Sequence, residues 1–152
     1  MLHLIQHPVK SILEIGVGSA QRTKNMLSLV TLPEGVEQLR YAGVDMFESA
    51  DDGREHIKLK NAHRMLAEHC VRAHLMPGDL PSALPRLVRT IHPSDLVIID
   101  GGWNSDSADG MALAQWLPRL ASAEATVFAC TNPGEPLQVI QVGSTQTSRQ
   151  AA

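Results

Sequence analysis

The sequence predicts an α/β fold around a mostly parallel sheet, on three observations. Short apolar runs alternate with segments whose apolar residues recur at helical spacing, the pattern of successive βαβ units. The run Asp95-Leu96-Val97-Ile98-Ile99-Asp100 is β-branched and apolar between its two acids, as a strand covered on both faces requires. The run Ser11–Ile15 leads directly into a turn carrying Gly16 and Gly18, a strand-to-helix connection with bare backbone.

Spacing and chain breakers place the elements in order. The first strand is Ser11–Ile15. A helix follows over about residues 20–30 with Thr23, Met26, Leu27 and Val30 on one face, ended by Leu32-Pro33-Glu34-Gly35. The second strand is Arg40–Val44, closing on Asp45. A polar loop over residues 48–53 leads to a helix over about 54–70, with Ala62, Met65, Leu66 and His69 or Cys70 as its apolar stripe. The third strand, about Arg72–Met76, stops at Pro77-Gly78-Asp79. The next helix, about Leu80–Ile91, turns Leu80, Ala83, Leu84, Leu87, Val88 and Ile91 to the sheet, and Pro85 shortens or kinks it. The fourth strand ends at Gly101-Gly102, and a helix over about 108–121 carries Leu113, Trp116, Leu117 and Leu120. A fifth strand covers 125–130, and residues 137–142 are a candidate sixth. Residues 1–142 thus form a single domain, and the Ser/Thr/Gln-rich residues 143–152 a flexible tail.

Composition excludes several functions. With 152 residues, 43% hydrophobic and 19% charged, the chain fits one soluble domain. A net charge of -3 offers no basic footprint for a nucleic acid, and 3% aromatic content offers few stacking platforms. No apolar run approaches the roughly 18 residues of a membrane span, and no signal peptide is visible, so the expected location is the cytoplasm. Cys70 and Cys130 are expected to be buried free thiols. The seven histidines lack metal-ligand spacing; surface or capping roles are expected for them, and no metal site is assigned.

The chemistry concentrates where strands end. Glu14, Asp45, Asp79 and Asp100 all lie at or beside predicted strand ends next to turn signals. Ligands of open α/β sheets bind beyond such ends, at the point where strand order switches. Four carboxylates there suit hydroxyls and amines. A dinucleotide fingerprint needs a third glycine where Gln21 stands, and Glu14 would repel a pyrophosphate. A ligand with a cationic centre and a neutral nucleoside escapes that repulsion.

These residues resemble the class I S-adenosylmethionine-dependent methyltransferases. Their glycine motif, E/D-x-G-x-G-x-G, is matched by Glu14-Ile15-Gly16-Val17-Gly18-Ser19-Ala20 except in its last place. The resemblance spans about residues 11–131. It implies a Rossmann-like three-layer α/β/α sandwich with strand order 3-2-1-4-5 and a reduced C-terminal strand region. It implies S-adenosylmethionine as cofactor, with Gly16 and Gly18 along its methionine portion and Glu14 orienting the loop or the ligand's amino group. Asp45 would hold the ribose, Met46 would pack on the adenine, and Asp79 and Leu80 would meet the adenine edge. Asp95–Trp103 is similar to a subgroup whose fourth strand ends D-L-x-x-I-D-G-x-H, where Asp100 would face donor and acceptor. Trp103 replaces that subgroup's His and is either a wall for the acceptor or a loop anchor. Members that bind magnesium use an acid at the end of strand four and an Asp-Asn pair after strand five; Thr131-Asn132 supplies half of that pair.

The implied reaction is methyl transfer to a small-molecule acceptor, by in-line displacement at a sulfonium carbon. Alignment in a dry cleft is the main requirement, and no residue is assigned as catalytic. The segments that usually cover the acceptor are expected to be reduced at both ends. A non-catalytic cofactor-binding or dimerisation module is therefore the alternative, and an NAD-dependent enzyme is disfavoured by Gln21 and Glu14.

Overall fold

The computed structural model describes residues 2–142, so the expected tail at 143–152 lies outside the described residues. The elements are α1 (Leu2–Gln6), β1 (Ser11–Ile15), α2 (Gln21–Leu29), β2 (Arg40–Asp45), α3 (Leu59–Glu68), β3 (Arg72–Pro77), α4 (Leu80–Thr90), β4 (Ser94–Asp100), α5 (Ala108–Leu120), β5 (Ala121–Cys130) and β6 (Gln138–Ile140). The strands form one sheet in the order β3-β2-β1-β4-β5-β6. Every neighbouring pair is parallel except β5 and β6. This is the Rossmann-like α/β/α sandwich with 3-2-1-4-5 order.

The order reverses at β1. From β1 the chain steps outward through β2 to β3, then crosses back to β4 on the other side of β1. Because parallel crossovers are right-handed, this reversal sends the helices to opposite faces. One apolar cluster joins Leu4, Met26, Ala62, Met65 and Leu66 to Ile12, Tyr41, Leu96 and Ile98. The other joins Ala83, Leu84, Leu87, Leu113, Leu117 and Leu120 to Leu13, Ile15, Val44, Val97, Ile99 and Val127. β1 and the apolar centre of β4 are buried on both faces, which accounts for their nearly unbroken apolar runs. Among the described residues, no helix is long and apolar enough to cross a membrane.

Three details differ from the sequence expectation. Helix α3 begins at Leu59, not near Arg54, because residues 54–58 are held against the glycine turn. There the Ile57 N–H donates to the Gly18 carbonyl (2.8 Å), and Glu48 Oε2 accepts from the Leu59 N–H (2.8 Å), serving one of the new helix's free amides. Strand β5 starts at Ala121, directly after α5, with a register irregularity between Ser94 and Leu96; its exposed Ala123 and Glu124 give no apolar signal. Cys130 is buried as expected, whereas Cys70 is exposed. Cys70 lies past the end of α3 in a left-handed turn (φ 55°), off the stripe that Ala62, Met65 and Leu66 provide.

Candidate functional site

The site begins with the turn after β1. Gly16 has φ 87°, and a Cβ there would stand 3.1 Å from the Asp100 carbonyl and 3.2 Å from the Asp100 Cβ. Only glycine lets the end of β1 approach the end of β4 this closely. Gly18 (φ 59°) and Gly78 (φ 138°) would carry a Cβ into open space, so both present bare backbone to the cavity they line. Ala20, in the place of the motif's last glycine, also adopts a left-handed conformation (φ 67°) and is fully buried.

Glu14 does not line this cavity. It alternates with Leu13 and Ile15 and turns toward α2, where it is wholly buried. Its Oε2 accepts from Thr23 Oγ1 (2.6 Å) and Tyr41 Oη (2.6 Å), and its Oε1 faces Arg22 at 3.4 Å. Burial raises the carboxyl pKa above its ordinary value despite those donors. Burial, together with the neighbouring Glu14, also pushes the Tyr41 phenol well up, so Tyr41 remains a donor. The other nitrogen of the Arg22 fork donates to Asp100 Oδ2 at 2.7 Å. Glu14 therefore reaches the site only through Arg22, which ties the underside of the glycine turn to the end of β4.

Asp45, at the end of β2, is the hub of the turn. Its Oδ2 accepts from the Gly18 N–H (2.9 Å), and its Oδ1 from the Phe47 N–H (2.7 Å) and His56 Nδ1 (2.7 Å). His56 Nε2 reaches Asp52 (2.9 and 3.0 Å), so its ring bridges two carboxylates. A surface or capping role was expected for His56; in the fold it belongs to the site. Burial lowers the pKa of the His56 imidazolium, but Asp45 and Asp52 outweigh burial and hold it above the ordinary 6.5. The doubly bonded bridge is thus complete below pH 6.5 and is lost as pH rises through that raised pKa, because a neutral ring donates from one nitrogen only. Unfolding free energy is therefore expected to decline more steeply as pH rises from 6.5 through that raised pKa in the native chain than in His56→Ala. Denaturant titrations across that range measure the difference, and parallel profiles would remove the bridge.

Asp100 closes the site from β4. Besides Arg22 it accepts from the Gly134 N–H (2.9 Å) and Cys130 Sγ (3.4 Å), with Arg54 at 3.9 Å. Burial acts to raise its pKa, yet Arg22 and the Gly134 amide prevail and hold the carboxyl below its ordinary value. A carboxylate so stabilised is a weak proton acceptor. Asp79 is the N-cap of α4, accepting from the Ser82 N–H at 3.3 Å, and it faces the cavity with Leu80. Burial, then the charge of Asp79, raises the pKa of Asp109, which completes the rim.

Together these groups line a cavity of about 340 Å³ at the carboxyl ends of the strands. Gly16, Gly18, Asp45, Met46, Asp79, Leu80 and Asp100 all line it. Trp103 does not; it packs against the core between the sheet and α4–α5. Asp52, Arg54, His56 and Asp109 line the cavity without having been singled out. Five aspartates thus face one arginine and one histidine, a field that favours a cationic ligand and repels a pyrophosphate. Among the described residues, no group of three or more His, Cys, Asp or Glu side chains could hold a metal ion.

No family model and no curated protein matches this chain. Solved structures do. The O-methyltransferase TomG from Streptomyces achromogenes, involved in tomaymycin synthesis and solved with SAM, superposes with a TM-score of 0.59 at 21% identity, covering 97% of this chain and 62% of its own. The small RNA methyltransferase HEN1 gives 0.55 at 16% identity, over 84% of this chain and 15% of its own. The plantazolicin methyltransferase BamL, solved with SAH and a triazolic desmethylPZN analog, gives 0.52 at 14% identity, over 82% and 38%. The chain thus spans less than two thirds of the length of each of these proteins. Strand order, the position of the glycine turn and these superpositions agree: this chain is built on the fold of the class I methyltransferases.

Proposed function

We propose that this cavity binds S-adenosylmethionine and that the chain transfers its methyl group to a small-molecule acceptor. The observation that carries the reading is the five-aspartate cavity beneath a bare glycine turn. The cofactor is cationic at sulfur and at its amino group, and its nucleoside is neutral. At about 340 Å³ the cavity lies at the lower end of small-molecule sites. When bound, the cofactor supplies a methyl group already activated for displacement. The chain's own residues would hold it: Gly16 and Gly18 along the methionine portion, Asp45 on the ribose, Met46 on the adenine face, and Asp79 with Leu80 at the adenine edge. Asp100, held ionised, would complement the positive charge rather than take a proton. The acidic surroundings also disfavour a polynucleotide acceptor.

Calorimetry tests this directly. S-adenosylmethionine and S-adenosylhomocysteine are expected to bind and NAD is not; absence of binding by both methionine derivatives overturns the reading. Asp45→Asn, which keeps the side chain's shape, should weaken binding by roughly 10- to 100-fold, the value of a hydrogen bond to a charged group. Unchanged affinity would take Asp45 out of the ribose role.

One observation favours a second reading, a cofactor-binding or dimerisation module without turnover. Asp100, held below its ordinary pKa by Arg22 and the Gly134 amide, is a weak base for any acceptor that must lose a proton. Cofactor binding without methyl transfer to any of a panel of small acceptors supports this module.

A further inference from the structure

A second cavity, of about 250 Å³, opens at the opposite edge of the sheet, where the strands begin. Arg40 starts β2 and Arg72 starts β3, and the parallel register sets the two directly beside each other. Both line the cavity, with His74 two residues further along β3 and His92 just past α4. Like charges in register on neighbouring strands repel, so such a pair is unfavourable without a counter-charge. None is present: no acidic side chain lines the cavity, and among the described residues neither guanidinium has a hydrogen-bond or ion-pair partner. Asp95, beside Ser94 of the cavity wall, instead accepts from the Lys10 N–H at 3.2 Å.

His74 adds an independent sign. Its Nε2 is shut from solvent and is a buried side-chain polar atom without a hydrogen-bond partner. Buried polar atoms are nearly always bonded, so one without a partner beside a cavity marks an interaction not satisfied within the chain. Ser11 and Ser94 place hydroxyl-bearing side chains on the same wall.

We propose that this cavity is a binding site for a small oxyanion of the phosphate type, free or as the phosphate group of a small metabolite. The two guanidinium forks supply bidentate donors to its oxygens, and a modest turn of the His74 ring gives Nε2 its acceptor. The site is separate from the cavity at the other end of the strands and does not depend on that cavity's ligand.

The test is a set of thermal melts of the full chain in buffers free of oxyanions. Inorganic phosphate, titrated against sodium chloride of equal ionic strength, is expected to raise the melting temperature saturably, and chloride is not. Arg72→Glu converts the like-charge pair into an opposite-charge one. It should melt above the native chain without phosphate and lose the phosphate-dependent rise. Arg72→Gln should keep the fold and weaken phosphate binding at least tenfold, and it stands in if Arg72→Glu does not fold. A glycerol phosphate compared with free phosphate distinguishes the two sources: tighter binding of the ester assigns the site to a phosphorylated metabolite, equal binding to the free ion. No saturable rise in the native chain overturns the proposal, as does an equal rise with chloride or a rise that survives Arg72→Gln.

Discussion

Glu14→Ala is expected to lower the unfolding free energy by about 3–5 kcal/mol, the range for removing one member of a buried, charge-paired network. The loss is large because Glu14 accepts from two interior hydroxyls at once. Without it, Thr23 Oγ1 and the fully buried Tyr41 Oη lose the carboxylate they donate to, and the half-buried Arg22 fork keeps Asp100 but loses its second carboxylate. Gly43 makes the arrangement possible. It is the register partner of Glu14, and a Cβ there would stand 3.0 Å from the Tyr41 ring, in the path the phenol takes to the carboxylate. Glu14→Gln keeps an acceptor oxygen and should cost less, about 1–2 kcal/mol. The two variants also separate by pH. In the unfolded chain the carboxyl ionises near its ordinary 4.5, whereas in the fold burial holds its proton to higher pH. The folded state therefore binds more protons above 4.5, and stability falls as pH rises from there through the raised pKa. Glu14→Gln removes that slope. Urea titrations at several pH values read both effects, and a Glu14→Ala chain as stable as the native one would dismiss the network.

Gly110→Ala should be nearly as damaging, by about 3 kcal/mol, although alanine is ordinarily the better helix former. Gly110 sits in the first turn of α5, where its N–H donates to the N-cap Ser107 Oγ (3.1 Å). A Cβ there would fall far inside contact distance of the Ser105 carbonyl oxygen and 2.7 Å from Ser105 Oγ. Ser105 cannot simply withdraw, since its hydroxyl bonds both the Gly102 carbonyl (3.2 Å) and Ser107. The substitution must therefore displace the loop from Gly101 to Asp109, which forms one wall of the acidic cavity. A drop of roughly 6–12 °C in melting temperature is expected, with weaker cofactor binding alongside. An unchanged melting temperature would mean that this loop does not pack on the helix.

The sheet was legible because β1 and β4 carry nearly continuous apolar runs, and Asp45, Asp79 and Asp100 were legible because each ends or follows a strand. Which way Glu14 faces was not legible, for the same reason that β1 was easy to find. A strand buried on both faces has no polar side, so nothing in Ser-Ile-Leu-Glu-Ile says which residues face which helix layer. Asp52 and His56 were hidden differently. Their segment runs into the helical spacing of α3, and the bonds from Ile57 to Gly18 and from His56 to Asp45 show that it folds back over the turn. Asp109 looked like a first-turn acid favoured by the helix dipole, a role that does not reveal what else it faces. Trp103, which the sequence left open between a wall of the site and a loop anchor, packs half-buried against the core and does not line the acidic cavity.

The reversal of strand order at β1 also sets an order of assembly. Pairs β1–β2 and β2–β3 join neighbouring βαβ units, but β1 and β4 meet across a long stretch of chain; Ser11 and Asp95, bonded side by side, are 84 residues apart. Closing so large a loop is entropically slow compared with local pairing. The half of the acidic cavity from Gly16 to Leu80 can therefore form while β4 is still unplaced. Asp100 arrives only with β4, and with it the anchor for Arg22; Asp109 and Pro133 follow later still. During synthesis, this cavity is completed only once β4 and the residues beyond it, as far as Pro133, have been made.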